Sequence, residues 1–244
     1  MTKIVSHKGW SAHYPENTLV AFQKALELPV SGIECDVQLT ADGVPVVIHD
    51  ATVDRTTDGT GTVSELSYSN LRRLNASAHA GHGLNPCPVP SLQETLALFD
   101  RFRDDGLFDL ELKVYEGDGH ALVDAALCTL EQFPRVERQV LFTSFDPDCL
   151  SHLQTAHPKA VVGLLADGPD TVPWRLARDR GFSTVLLNHQ GVDEHVLATC
   201  RREGLAVGVW TVDDAREMQK FVNAHVDILI TNMPDVALGV LSSP

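Results

Sequence analysis

The sequence predicts an α/β protein: a TIM-type (β/α)8 barrel with an inserted segment after its second strand. Three observations predict it. Short β-rich runs alternate with helical stretches along most of the chain; setting one accessory strand aside leaves eight strand–helix units; and 244 residues suit a barrel of ordinary size, about 250. An open doubly wound sheet is built from the same units and stands as the structural alternative. With no internal repeat, low-complexity tract or linker, residues 1–244 read as a single domain.

The first strand is expected at Lys3–Ser6, followed by a helix over Pro15–Leu28. Gly32–Leu39 is the second strand and Val44–Ile48 the accessory one. Residues 51–90 are rich in Thr, Gly, Asn, Ser and His and read as an excursion with little regular structure. Ser91 then looks like an N-cap, with Glu94 where a capping box needs it, and the helix runs to about Arg103. Further strands are expected at Leu107–Lys113, Gln139–Thr143, Ala160–Leu164, Thr184–Leu187, Ala206–Val209 and Asp227–Ile230. The helices between and after them are expected at Gly119–Gln132, Pro147–Thr155, Val172–Arg180, Val192–Arg202, Asp213–Asn223 and Pro234–Leu241, with Gly181 and Gly204 as stop signals.

Composition is that of a globular protein, 43% hydrophobic and 21% charged. A net charge of −14 repels polyanions and argues against nucleic-acid binding, while leaving room for a small phosphate in a locally positive pocket. No apolar run approaches the ~20 residues of a membrane span, and the N-terminus has no apolar signal core, so a cytoplasmic protein without an integral membrane segment is expected. Cys35, Cys87, Cys128, Cys149 and Cys200 form no CxxC pair and read as reduced core thiols rather than a disulfide framework or zinc site. The sequence leaves oligomeric state open.

In barrels the chemistry sits at the C-terminal ends of strands. The expected strand ends carry Ser6-His7-Lys8-Gly9, Ile33-Glu34-Cys35-Asp36-Val37, Ile48-His49-Asp50 and Leu110-Glu111-Leu112-Lys113. Period-two alternation puts Glu34 and Asp36 on one face, and Glu111 and Lys113 likewise on one face. If those faces look inward, three carboxylates and a lysine converge. Such carboxylates repel one another in a poorly solvated site unless a cation or shared protons intervene, and all-oxygen ligands suit one hard divalent ion, Mg2+ or Ca2+. His7 and His49 would flank it as an acid/base pair, and Lys8 and Lys113 would hold phosphate oxygens. Each pair alone is more often a solvated face or an ion pair; their conjunction carries the functional reading.

Elsewhere, Asp54, Asp58, Gly59 and Glu65 partly match an EF-hand loop, but Thr56 breaks the pattern and no entering helix precedes it, so a turn is expected. His79, His82 and Cys87 read as loop residues. Glu16 and Asn17 are expected to cap or brace the loop around the site. The phosphate-loop, HExxH and GxSxG motifs are absent.

At these residues the chain resembles the glycerophosphodiester phosphodiesterase family. The resemblance runs through His7-Lys8-Gly9, Pro15-Glu16-Asn17-Thr18, Glu34-Cys35-Asp36-Val37, His49-Asp50, Arg55-Thr56-Thr57-Asp58-Gly59, Pro90-Ser91-Leu92-Gln93-Glu94, Glu111-Leu112-Lys113, Ser144-Phe145, Trp210-Thr211-Val212 and Thr231-Asn232-Met233-Pro234. It implies a TIM-type barrel with Glu34, Asp36 and Glu111 as ligands of a divalent metal and His7 and His49 as general acid and base. Lys113 and the basic residue after His7 would contact phosphate, and Trp210 would line the pocket. The implied reaction is metal-dependent hydrolysis of small-molecule diesters such as glycerophosphocholine or glycerophosphoethanolamine. A glycerol hydroxyl attacks phosphorus, and water opens the resulting cyclic phosphate to glycerol 3-phosphate. The family usually has arginine where this chain has Lys8, which keeps the charge and loses the bidentate fork. The alternatives are a lysophospholipase D-type enzyme acting on chain-bearing substrates and a non-catalytic metal-binding barrel.

Overall fold

The computed structural model describes residues 1–79, 85–117, 119–168 and 172–242. Its strands are β1 (Lys3–Ser6), β2 (Gly32–Leu39), β3 (Pro45–Val47), β4 (Leu107–Leu112), β5 (Val140–Ser144), β6 (Val161–Ala166), β7 (Thr184–Asn188), β8 (Ala206–Trp210) and β9 (Ile228–Thr231). All but β3 pair in parallel in the order β1-β9-β8-β7-β6-β5-β4-β2, and β1 also pairs with β2, so the sheet closes. Closure settles the choice between barrel and open sheet. β3 runs antiparallel to β2 alone, Val37 opposite Val47. It is the accessory strand the sequence set aside.

Around the barrel lie α1 (Leu19–Leu26), α2 (Tyr68–Leu71), α3 (Leu92–Phe102), α4 (His120–Leu130), α5 (Pro134–Glu137), α6 (Pro147–Ala156), α7 (Pro173–Arg180), α8 (Glu194–Arg202), α9 (Ala215–Asn223) and α10 (Pro234–Leu241). The capping box forms as expected: the Ser91 side chain accepts from the Glu94 amide, and Glu94 accepts from the Ser91 amide at 3.0 Å. Three helices start two or more residues later than the sequence pattern suggests. α1 begins at Leu19 because Thr18, not a residue near Pro15, is the N-cap; α8 begins after Asp193, whose carboxylate accepts from the Val196 amide; and α9 begins after Asp214, whose carboxylate accepts from the amides of Arg216 and Glu217.

Strand alternation sorts side chains between two layers. Ile33, Cys35, Val37, Phe108, Leu110 and Leu112 point outward and pack under the helices. Val5, Leu107, Leu141, Leu165, Leu186, Ile228 and Ile230 fill the lumen. Gly163 and Gly208 make room for Leu186, since a Cβ at either would come within 2.5 Å and 3.1 Å of its side chain. The opposite parity on β2 and β4 therefore sends Glu34, Asp36, Asp109 and Glu111 inward, above an apolar plug.

The excursion is more ordered than its composition suggests. It holds a short 3-10 turn at Val63–Glu65, α2, and an apolar cluster of Val46, Ile48, Val53, Val63, Leu71, Ala76 and Val89. Asp54 and Asp58 are engaged as turn acceptors for the amides of Gly61 and Asn75. His79 meets the Thr57 carbonyl at 3.0 Å, whereas His82 lies outside the described residues. Cys35, Cys149 and Cys200 are buried as core thiols; Cys87 is half-buried and Cys128 is exposed, so the core reading fails for those two.

Candidate active site

The C-terminal mouth of the barrel is built first by β2 and β4. Their register sets Glu34 beside Asp109 and Asp36 beside Glu111. Glu34, Asp36 and Glu111 each offer an oxygen within 4.8 Å of the others, and all three are buried. Glu34 Oε1 and Asp36 Oδ1 have no hydrogen-bond partner. Buried carboxylate oxygens without donors are costly, and a hard divalent cation satisfies them. The donor set, three carboxylates and no thiol or imidazole among the three, fits such an ion. A buried cluster able to coordinate a divalent metal is therefore present.

Electrostatics point the same way. Burial, reinforced by Asp36 and Glu111, pushes the Glu34 carboxyl well above its ordinary range. Burial and Asp36 push Glu111 up to about 8. Asp36 goes the other way: burial opposes its ionisation, but Lys8 and Lys113 hold it below the usual range. Lys113 Nζ donates to Glu111 Oε1 at 2.8 Å and stands 3.6 Å from Asp36 Oδ1. Lys8 Nζ lies between Glu16 (3.4 Å) and Asp36 (3.9 Å). Its backbone amide donates to Glu34 Oε2 at 2.8 Å. Lys8 is 8% exposed and does not line the catalytic cavity, whereas Lys113 does.

Each histidine is held from behind. His7, just past β1, has Nδ1 2.7 Å from Asn232 Oδ1. Asn232 Nδ2 donates to Asp213 Oδ2, which can only accept while ionised, so the amide oxygen must face His7. His7 Nδ1 is then the donor, and Nε2 is the free lone pair, 3.9 Å from Glu34 Oε2. Burial, with Lys8 second, lowers the His7 pKa to about 4 and keeps the ring neutral. The turn after it needs a left-handed backbone at Lys8 and Gly9 (φ 56° and 78°). A Cβ on Gly9 would meet the Ala21 backbone at 2.6 Å.

His49, just past β3, has Nδ1 2.6 Å from Asp50 Oδ1. Asp50 in turn accepts from Arg55, whose hydrogen bonds lead in drawing the carboxyl down to about 2. Arg55 also clamps Glu16 through two hydrogen bonds of 2.8 Å. Gln38 on β2 donates to the carbonyls of Ile48, His49 and Asp50, fixing the segment to the barrel. Asn17 Nδ2 donates to Asp36 Oδ2 at 2.7 Å. Glu16 and Asn17 thus both contact the site network, as bracing residues would.

His7, Glu34, His49, Glu111, Lys113 and Trp210 line one cavity of about 270 Å³. Trp210 Nε1 donates to the Leu186 carbonyl, and its ring meets Phe145 edge-on at 5.6 Å. Sequence reasoning missed Asp109, which also lines the cavity and lies 1% exposed. It shares a face with Glu111 by simple alternation, and that signal was available. Burial raises its pKa to about 7. Asp50 and Asn232 stand in the motifs and Asp213 directly follows one; Asn232 meets His7 and Asp213 only across long stretches of sequence.

The model of the glycerophosphoryl diester phosphodiesterase family matches residues 7–236. A glycerophosphodiester phosphodiesterase of Caldanaerobacter subterraneus subsp. tengcongensis is 32% identical over 98% of each chain. The structure of a glycerophosphodiester phosphodiesterase from Agrobacterium tumefaciens superposes with a TM-score of 0.81 at 27% identity, covering 98% of this chain and 100% of that one. An Oleispira antarctica phosphodiesterase, solved with its product sn-glycerol-3-phosphate, superposes with a TM-score of 0.92, covering 100% of this chain and 98% of that one; at 23% identity this likeness bears on the fold.

Proposed function

The chain belongs to the glycerophosphoryl diester phosphodiesterase family, and we propose that it hydrolyses small glycerophosphodiesters, glycerophosphocholine and glycerophosphoethanolamine among them, to glycerol 3-phosphate and the free alcohol. The observation that carries this reading is the buried triad Glu34, Asp36 and Glu111, with His7 and His49 lining the same cavity as Glu34 and Glu111. Glu34, Asp36 and Glu111 would hold one divalent cation, Mg2+ or Ca2+. When bound, it supplies positive charge to a phosphate oxygen and acidifies a nearby hydroxyl.

The chain's own groups do the rest. Lys113 pairs with a non-bridging phosphate oxygen. Nε2 of His7, neutral and unprotonated, takes the proton of the glyceryl hydroxyl next to the phosphate-bearing carbon as that oxygen attacks phosphorus. His49 gives its proton to the departing alcohol, and the ionised Asp50 offsets the positive ring beforehand. A five-membered cyclic phosphate results. In the second half, His49 takes a proton from water as it adds to phosphorus, and His7 returns its proton to the glyceryl oxygen. Lys8, tied to Asp36 and Glu16, orients the carboxylates from behind. Trp210 and Phe145 wall the cavity and keep water from the glyceryl unit. A cytoplasmic setting belongs to this proposal and is supported by cysteines that stand as thiols, Cys128 among them exposed.

A second reading has its own observation. A groove of about 470 Å³ shares Phe145, Leu165 and Asp167 with the catalytic cavity and continues over Leu164, Pro173 and Leu176. Phe145 and Leu176 are exposed there. A lysophospholipid chain would lie along it.

The test is release of glycerol 3-phosphate from glycerophosphocholine by metal-stripped protein, with Mg2+ or Ca2+ restored, beside a Glu34→Ala control. Metal-restored turnover absent from the control is expected. No turnover of glycerophosphocholine with either ion, but turnover of lysophosphatidylcholine, would replace the first reading with the second.

A further inference from the structure

Among the described residues, three carboxylate oxygens at the barrel mouth are buried without a hydrogen-bond partner: Glu34 Oε1, Asp36 Oδ1 and Asp109 Oδ2. The first two belong to the acidic triad and are explained by a cation. Asp109 is not part of that triad. Its other oxygen is already engaged, since Thr143 Oγ1 donates to Oδ1 at 2.7 Å. That bond fixes the carboxyl's rotation and leaves Oδ2 as the free group. Both Asp109 and Thr143 line the catalytic cavity. Below them the lumen is filled by the apolar Leu141, Leu165, Leu186 and Ile230, and beside them stand Glu34 and Glu111, whose carboxylates offer Oδ2 no hydrogen bond. A fixed polar atom in such a setting costs stability unless something pairs with it.

We propose that Asp109 is a substrate-binding residue whose Oδ2 pairs with the terminal hydroxyl of the glyceryl unit, the hydroxyl that takes no part in the chemistry. The assignment rests on the glycerophosphodiester reading and adds the specificity element to it. The phosphate is drawn toward Lys113 and the triad, and the neighbouring hydroxyl toward His7. The glyceryl carbon farthest from phosphorus would then face the wall that β4 and β5 supply through Asp109 and Thr143, where the unpaired Oδ2 is held in place. A hydroxyl both donates and accepts, so it satisfies this carboxyl in either protonation state. A site built to pair with a hydroxyl rejects the analogue lacking it, because the buried group is left unpaired. It also disfavours a 1-acyl lysophospholipid, in which that oxygen is an ester and cannot donate. Asp109 thereby opposes the groove beyond Phe145 in the choice of substrate.

The test measures binding, so it does not depend on turnover. Calorimetry on the Mg2+-loaded protein compares glycerol 3-phosphate with 1,2-propanediol 1-phosphate, which lacks only the terminal hydroxyl. Wild type is expected to favour glycerol 3-phosphate by at least about tenfold. Asp109→Ala should remove the preference by weakening glycerol 3-phosphate alone, and Asp109→Asn, which still accepts from Thr143 and can donate to the hydroxyl, should keep it. An unchanged preference in Asp109→Ala would overturn the assignment. So would equal binding of the two ligands by wild type, an outcome that stands even if Asp109→Ala does not fold. Failure of the phosphodiesterase reading would show separately, as wild-type protein that turns over no glycerophosphodiester.

Discussion

Removing divalent ions should make the protein's stability fall as pH rises, and Glu111 sets the scale. In the unfolded chain its carboxyl ionises near 4.5; in the folded, metal-free protein burial and Asp36 hold the proton to about 8. The folded state binds the extra proton. The stability that this provides is complete below 4.5 and disappears as pH climbs through 8. Between about pH 5 and pH 8.5 the loss is roughly 4 kcal/mol, at about 1.4 kcal/mol per pH unit. Glu34, whose carboxyl is pushed up by burial and by Asp36, adds in the same direction. Asp36 is lowered, so its contribution is already in place across this window and does not offset the loss.

For a chain of this length the loss corresponds to a drop in Tm of about 8–16 °C. Scanning calorimetry in chelator at the two pH values reads it directly. Glu111→Gln keeps the shape and has nothing to ionise, so at high pH it should melt above metal-free wild type. The chain's net charge of −14 brings its own pH-dependent repulsion, which both proteins share. Restoring Mg2+ or Ca2+ should raise the wild-type Tm more at the higher pH than at the lower. Equal pH-dependent losses in wild type and Glu111→Gln would refute the reasoning, because Glu111 would then contribute nothing to the slope.

Two further outcomes separate residues that act on the substrate from residues that act on other side chains. Asp50→Asn leaves His49 without an anionic partner and should lower kcat about ten- to a hundredfold with little change in KM; steady-state kinetics at saturating metal would sink the assignment if kcat stayed within about twofold. Lys8→Met should weaken metal affinity about tenfold while leaving KM unchanged at saturating metal, because Lys8 supports Asp36. A raised KM with unchanged metal affinity would instead put Lys8 on the phosphate.

The barrel was legible because its strands are short apolar runs with clear ends; Lys3–Ser6 and Gly32–Leu39 carry in the structure the bounds the pattern predicts. The helices at Tyr68–Leu71 and Pro134–Glu137 were not legible, since four residues cannot display a 3.6-residue period. The start of α9 had two eligible caps, Asp213 and Asp214. The choice falls to Asp214 because Asp213 is engaged with Thr231 and Asn232, a partnership across 18 and 19 residues that no local pattern contains. Convergence of Glu34, Asp36 and Glu111 followed from alternation plus the barrel. Asp109 obeys the same alternation, but a lone aspartate among Leu107, Phe108 and Leu110 gives no sign that Thr143 will engage only one of its oxygens.

Lys8, which stands where the family usually carries arginine, takes its meaning from the charge balance around the triad. The buried carboxylates Glu34, Asp36 and Glu111, fully ionised, outweigh Lys8 and Lys113, and Glu16 beside Lys8 and Asp109 beside Glu34 add to the negative excess. In the proposed reaction a divalent ion would offset that excess and let a phosphodiester monoanion enter. Hydrolysis then changes the ligand, because a phosphate monoester loses a second proton near pH 6. Above that pH the product brings one more negative charge than the substrate did, into a site where burial makes every unpaired charge costly. Lysine at position 8 keeps the charge that arginine would carry, and its Nζ lies between Glu16 and Asp36, so under the proposed reaction the substitution keeps the positive charge beside the carboxylates.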